Sequence, residues 1–237
     1  MAALVIFDFD GTLFDTHESI EQSIKLTFDA LLPSHALAPS EVHRLISSGA
    51  GLSDTFQALH PNAATFTVAE EERWVNKYRE IYATDGQLLI KAFPGAKETL
   101  DELNTRKIPV AIISNKGVAA VKTALERNGM AGYVPENLII GDKTPGAQRK
   151  PSPASFVDVL APTLQTQYGL AGLEPRRVLV VGDTVADIQF AKNIGGRACW
   201  CRYGYGDKDA CEKLQPDFIA DSLNEVVAML GQQPFLA

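Results

Sequence analysis

The sequence predicts an α/β fold, a doubly wound parallel-sheet core interrupted by an inserted α-helical block. Three observations predict it. Short apolar runs recur along the chain, each ending in Gly or polar residues. Helical patterns lie between those runs, and strands alternating with helices argue for a parallel sheet covered on both faces. From about Asp15 to Ile90 the alternation stops, and helical periodicity dominates without a strand-like run.

The strands come in order. Leu4 to Phe7 is apolar at every position and runs into Asp8-Phe9-Asp10-Gly11-Thr12. Pro109 to Ile113 ends at Ser114-Asn115, Asn137 to Ile140 at Gly141-Asp142, and Val178 to Val181 at Gly182-Asp183. Arg197 to Cys201 and Phe218 to Ala220 are shorter candidates. Helices are expected at Ala96 to Thr105, Gly117 to Asn128, Ser152 to Gln167, Val185 to Ile194 and Leu223 to Leu230. The inserted block should hold helices at Ser19 to Leu32, Ser40 to Ser47, Ser53 to Leu59 and Val68 to Thr84. Pro33, Pro39, Gly49, Gly51 and Pro61 punctuate it as helix–helix connections. The expected division is residues 1–14 and 91–237 as the α/β core and 15–90 as the helical domain, with hinges near Phe14–Thr16 and Lys91–Gly95. No internal repeat or low-complexity tract is evident.

Composition narrows the classes. At 237 residues the chain can bury a sizeable core. Hydrophobic residues make up 46% and charged residues 22%, as in ordinary globular proteins. A net charge of −7 argues against nucleic-acid or anionic-membrane partners. It does not exclude an anionic substrate, because a metal and a few local cations can dominate one site. Three cysteines, Cys199, Cys201 and Cys211, have neither redox nor zinc spacing and read as structural or incidental reduced thiols. Asp8 and Asp10 interrupt any signal-peptide apolar region, and no apolar stretch is long enough to span a membrane, so a cytoplasmic protein is expected.

Four segments carry the chemistry. Strand alternation places Asp8 and Asp10 on one side, with Gly11 allowing a sharp turn. Ligands bind beyond the carboxyl ends of the strands in such sheets. Two close carboxylates repel unless a cation sits between them, and a hard cation with oxygen ligands suits; Asp-Gly as a plain turn is the alternative. Ser114-Asn115-Lys116 offers donors to an anion at a helix start, or simply a helix cap. Lys150 lies between Arg149 and Pro151. Pro151 favours an extended Lys150, and Pro153 suits the next helix's first turn, which would hold a cation at the helix entrance. Arg149 and Lys143 are the competing cations, and most lysines are solvated surface residues. Asp183 and Asp187, four apart around a helix start, can face one cation, or cap and charge-match the helix.

Taken in order, Asp-x-Asp-x-Thr, a Ser after the second strand, Lys before Pro, and Gly-Asp-x-x-x-Asp resemble the four motifs of the haloacid dehalogenase superfamily. The helical insert after the first motif is similar to the subfamily with a C1 helical cap, which includes phosphoglycolate phosphatases. The resemblance covers nearly the whole chain and implies a Rossmann-like core. Leu160 to Pro175 departs from it by its length, which should extend a helix or a surface loop.

The resemblance implies an enzyme that hydrolyses a small phosphorylated metabolite, with Mg²⁺ as cofactor. Asp8 would be the nucleophile that forms an aspartyl-phosphate, and Asp10 the general acid and base. Asp8, Asp10 through its carbonyl, Asp183 and Asp187 would hold the metal. Ser114, Asn115, Lys150 and Thr12 would bind the phosphoryl group. Ser47 to Gly51 resembles a cap loop that lowers onto the substrate, so Thr16, Ser48, Gly49 and Lys116, with His17 and Arg44, are candidate substrate contacts. The acid at Asp10 favours a phosphatase over a dehalogenase, because halide leaves without a proton. Phosphoglycolate is the best substrate expectation. Pyrophosphatase, nucleotide or sugar-phosphate phosphatase, β-phosphoglucomutase and phosphonatase are the alternatives within the superfamily, the last needing a Schiff-base lysine such as Lys25 or Lys77. A non-catalytic binding protein is the alternative outside it. The chain is expected to act as a monomer or homodimer.

Overall fold

Four buried residues, Leu4–Phe7, form the central strand β1 of a six-stranded parallel sheet in the computed structural model, which describes residues 3–63 and 66–230. The described chain divides into two compact units, residues 3–15 with 91–230, and residues 16–90. The outermost residues of the expected core domain, 1–2 and 231–237, lie outside the described residues.

In chain order the remaining strands are β2 (Phe14–Asp15), β3 (Lys91–Ala92), β4 (Val110–Gly117), β5 (Ile139–Asp142), β6 (Val178–Gly182), β7 (Arg197–Cys201) and β8 (Phe218–Ala220). The helices are α1 (His17–Leu31), α2 (Pro39–Ser47), α3 (Leu52–Leu59), α4 (Val68–Ile81), the short α5 (Gln87–Leu89), α6 (Ala96–Thr105), α7 (Val118–Arg127), α8 (Ala161–Tyr168), α9 (Val185–Asn193), α10 (Lys208–Lys213) and α11 (Leu223–Met229).

Sheet order is β5-β4-β1-β6-β7-β8. Val5 pairs with Val110 on one side and Leu179 on the other, and Phe7 pairs with Ile112 and Val181. The chain lays β4 and β5 outward from β1, then crosses back to place β6, β7 and β8 on the opposite side. Winding therefore reverses at β1, and a crevice opens beyond the carboxyl ends of such neighbouring strands. Asp8 and Asp183 lie one residue past β1 and β6, and Ser114 directly follows Ile113, where the regular pairing of β4 breaks. Both faces of the sheet are covered by helices, which is why β1 and β6 are apolar and buried at every position.

Several elements differ from the sequence expectation for identifiable reasons. Strand β4 runs on through Ser114 to Gly117, with a register irregularity between Ile113 and Gly117. Helix α7 has Gly117 as its N-cap residue, so neither Ser114 nor Asn115 caps it. The helix expected at Ser152 to Gln167 is π-helical over Ser155–Leu160 before becoming α8. Pro162 explains this: it lacks an N–H and its ring crowds the carbonyl four residues back, so a wider turn precedes it. The long stretch Leu160 to Pro175 extends the helix to Tyr168, where Gly169 turns left-handed (φ 67°), and continues through a loop to Pro175. Strands β2 and β3 pair antiparallel, Phe14 with Ala92 and Asp15 with Lys91, so the segments leaving and re-entering the core unit lie side by side. Two-residue strands are too short to leave a periodic signal.

The helical unit has its own aromatic core. The Trp74 ring meets Phe28 edge-on at 4.5 Å between centroids and Phe56 at 5.5 Å. Phe28, Phe56 and Trp74 are all buried. Trp74→Ala should destabilise the helical unit by about 3–5 kcal/mol, the usual cost of emptying an aromatic core site. Urea titration followed by circular dichroism measures it.

Candidate active site

The chain end of β1 displays the first two acids. The Asp8 N–H donates to the Val181 carbonyl at 2.8 Å, carrying the β1–β6 ladder one residue beyond the strand. A tight turn follows: the N–H groups of Leu13 and Phe14 both donate to the Phe9 carbonyl, and Gly11 adopts φ +76°. Phe9 and Phe14 stack at 4.5 Å and anchor this turn in the core.

Asp183, just past β6, is fully buried. Its Oδ1 accepts from the Thr12 hydroxyl at 3.1 Å and its Oδ2 from the Tyr205 N–H at 2.8 Å. Main chain encloses the rest. A Cβ at Gly11 would lie 2.3 Å from Asp183 Oδ2, one at Gly204 2.3 Å from Asp183 Cβ, and one at Gly206 2.1 Å from the Asp183 carbonyl oxygen. Each is far inside van der Waals contact, so the approach requires glycine. Asp187 sits in the first turn of α9. Its Oδ2 accepts from the Thr184 N–H at 3.0 Å and hydroxyl at 2.6 Å. Thr184 is the N-cap residue of α9, so Asp183 is not the helix cap.

Lys150 ties the acids together. Its Nζ lies 2.7 Å from Asp8 Oδ1 and 2.5 Å from Asp187 Oδ1, with the side chain only 3% exposed. Asn115 fixes the Lys150 backbone: its Oδ1 accepts the Lys150 N–H at 2.8 Å, and its amide donates to the Lys150 carbonyl at 3.4 Å. Arg149 and Lys143 are exposed, so of the three candidate cations Lys150 reaches the carboxylates. Thr12 is buried with its hydroxyl directed at Asp183, and Asn115 is engaged with Lys150. Both therefore hold other site residues in place.

Carboxylate oxygens of Asp8, Asp183 and Asp187 all lie within 4.8 Å of one another. Burial pushes the Asp8 carboxyl up from 3.8 to about 7, Lys150 opposes the rise, and Asp187 and Asp10 add to it. Burial likewise raises Asp183, with Asp187 and Asp8 adding and the Tyr205 N–H and Thr12 hydroxyl opposing. Burial alone would depress the Lys150 ammonium, but Asp187 and Asp8 overcome it and hold the amine above its ordinary range. Three clustered carboxylates with a single buried lysine remain short of positive charge. Their donor set, all hard oxygen, fits a hard divalent cation, and such an ion would relieve the repulsion.

A second ion pair lies beside the first. Lys116 Nζ is 2.8 Å from Asp10 Oδ1. Ser114 is buried at the strand end, where its hydroxyl accepts the Lys116 N–H at 3.2 Å. Ser114 also lines a cavity of about 410 Å³ with Gly141, Asp142, Lys143, Ala147, Gln148 and Arg149.

The remaining candidates lie in the helical unit. Thr16 is buried at the start of α1. The Ser48 hydroxyl donates to the Leu45 carbonyl at 2.8 Å at the end of α2, and Gly49 turns with φ +68°. Arg44 pairs with Glu41, Lys25 with Asp29 and Lys77 with Glu80, all on exposed surface. His17 Nε2 and His43 Nδ1 are 2.8 Å apart. The three cysteines are free and buried, and burial pushes the Cys199 and Cys211 thiols up to about 12, as inert structural thiols require. Among the described residues, no helix is long and apolar enough to cross a membrane.

The profile described as haloacid dehalogenase-like hydrolase matches residues 5–201, which contain every acid and both lysines of the site. This chain belongs to that family. Among its curated relatives, a phosphoglycolate phosphatase of Pectobacterium atrosepticum is 30% identical over 226 residues, covering 95% of this chain and 91% of the relative. A pyrophosphatase of Oceanobacillus iheyensis is 26% identical, covering 96% of each chain. The fold is similar to that of a haloacid dehalogenase-like family protein of Streptococcus pneumoniae, with a TM-score of 0.77, 24% identity and 97% and 98% coverage.

Sequence reasoning missed the loop after β7. Tyr203 donates from its hydroxyl to the Thr12 carbonyl at 2.8 Å, and the Tyr205 hydroxyl donates to Asp15 at 2.6 Å. Gly204-Tyr205-Gly206, two glycines one residue apart after an apolar run, was the available signal.

In chelator, the raised Asp8 value has a definite sign. The folded state holds the proton more tightly than the unfolded chain, so this contribution to stability is present below about pH 4 and is lost as pH rises through about 7. Asp183 acts in the same direction. The thermal midpoint should fall over that window, and Asp8→Asn should flatten the fall. Gly204→Ala should lower the midpoint at every pH, because its Cβ meets the Asp183 side chain.

Proposed function

We propose that this chain is a Mg²⁺-dependent phosphatase that hydrolyses a small phosphomonoester through an aspartyl-phosphate on Asp8, with phosphoglycolate as the favoured substrate. The observation that carries this reading is the Lys150 ammonium bridging Asp8 and Asp187 beside buried Asp183. A lone carboxylate nucleophile needs flanking positive charge before a phosphoryl dianion can approach it. The family and its curated relatives support the reading.

Phosphoryl transfer needs an in-line nucleophile, neutralised equatorial oxygens and a proton for the leaving group. Asp8 attacks phosphorus and takes the phosphoryl group on its carboxylate. Lys150 faces that carboxylate and stabilises the developing charge, and the Ser114 hydroxyl at the adjacent strand end donates to a phosphoryl oxygen. Asp10 delivers a proton to the departing oxygen, then removes one from the water that cleaves the acyl phosphate. Asp8, Asp183 and the Asp10 carbonyl would hold Mg²⁺, with Asp187 orienting Lys150 and the cluster; the ion supplies charge neutralisation on the phosphoryl oxygens.

Asp8→Asn should reduce turnover of phosphoglycolate by at least roughly a thousandfold with the circular dichroism spectrum unchanged. Substantial residual rate would remove Asp8 as nucleophile. EDTA should abolish turnover, and Mg²⁺ should restore it. Asp10→Ala should spare a burst of nitrophenol from p-nitrophenyl phosphate while suppressing steady-state turnover, because an activated leaving group needs no acid whereas the acyl phosphate still needs a base. Faster release from pyrophosphate than from phosphoglycolate would move the assignment to a pyrophosphatase, the activity named for one relative.

A further inference from the structure

The strand end that carries Ser114 does more than present a hydroxyl. Strand β4 loses register between Ile113 and Gly117, and the irregular segment is held at three points. The Lys116 N–H donates to Ser114 Oγ at 3.2 Å, and Gly117 pairs with Asp142 of β5. Gly141 completes the support, because a Cβ there would stand 2.2 Å from the Lys116 carbonyl oxygen. The result is a lysine whose side chain is 10% exposed and whose Nζ sits 2.8 Å from Asp10 Oδ1. A long, hydrated side chain loses much rotamer freedom when held this way, so the arrangement is built against an entropic cost.

We infer that Lys116 determines substrate class, selecting phosphate esters whose leaving group carries its own negative charge, a carboxylate or second phosphate, close to the ester oxygen. The inference rests on the reading of Asp10 as the group that meets the leaving oxygen. An ammonium in contact with Asp10 is then within a few ångströms of whatever that oxygen is attached to. Without it, an anionic leaving group would face Asp8, Asp10, Asp183 and Asp187 with Lys150 as the balancing side chain, and Lys150 is already shared between Asp8 and Asp187. A neutral alcohol suffers no such repulsion and has no use for a second ammonium. Lys143 and Arg149, by contrast, are exposed residues lining the neighbouring cavity.

The test compares kcat/KM in Mg²⁺ for phosphoglycolate and pyrophosphate against glycerol phosphate and phenyl phosphate. Lys116→Gln should collapse the preference for anionic leaving groups by roughly 10- to 100-fold, the scale of one close charge pair near a protein surface. The loss should fall mainly in KM, and Lys116→Arg should restore part of the preference. A loss by the same factor for every substrate would overturn the inference, reducing Lys116 to an aligner of Asp10. An unchanged ratio would overturn it too. Calorimetric binding of the same four compounds to the Asp8→Asn protein, with and without Lys116→Gln, gives a readout that needs no turnover. Absence of hydrolysis by the unsubstituted enzyme would sink the phosphatase reading, whereas equal affinities for charged and neutral leaving groups would sink this inference alone.

Discussion

Three carboxylates share a space at the carboxyl ends of β1 and β6 that ordinary electrostatics would forbid. Asp8, Asp183 and Asp187 come within 4.8 Å of one another in a buried setting, and one ammonium, that of Lys150, is set directly between two of them. Burial and mutual repulsion drive Asp8 and Asp183 upward, and the surrounding structure exists to hold the acids there regardless. Thr12, the Tyr205 amide and Thr184 each supply donors to a carboxylate, and Asn115 fixes the lysine's backbone. This pattern, stability surrendered locally to pre-arrange charge, is what a site for binding dianionic phosphoryl groups requires.

The sheet makes that crowding affordable. The cluster draws on three chain segments, Asp8 after β1, Lys150, and the turn from β6 into α9 that carries both Asp183 and Asp187, yet β1 and β6 are hydrogen-bonded neighbours and β4 flanks β1 on the other side. Reversal of winding at β1 leaves a crevice at the strand ends. The two-stranded ribbon of β2 and β3 then lets 75 residues be spliced in without disturbing the turn that carries Asp8 and Asp10.

Much of this was legible in the sequence. Leu4 to Phe7 and Val178 to Val181 declare themselves because a strand buried on both faces has to be apolar throughout. Asp8, Asp10, Asp183 and Asp187 were visible because acids sit at or just beyond the ends of such runs, and Lys150 because Pro151 and Pro153 mark a helix entrance beside it. What could not be read was which partner each polar residue takes. Thr12 and Asn115 bond to Asp183 and Lys150, 171 and 35 residues away, and no local pattern announces either pairing. The continuation of β4 through Ser114 to Gly117 was hidden because Ser, Asn and Gly favour turns, and tertiary pairing with β5 overrode that preference. The π-helical turn before Pro162 was readable in principle, since a proline inside the helical pattern from Ser152 to Gln167 must perturb it.

The collar around Asp183 separates two things that are often entangled. Gly11, Gly204 and Gly206 meet it with backbone alone, and Tyr205 holds its carboxylate through an amide that any residue but proline would supply. The side chain at position 205 can thus be exchanged without withdrawing that hydrogen bond, whereas the flanking glycines cannot be exchanged at all. A lineage built on this fold can revise what surrounds the reaction centre while the centre itself stays in register. Adaptability and chemistry reside on alternate atoms of the same short loop.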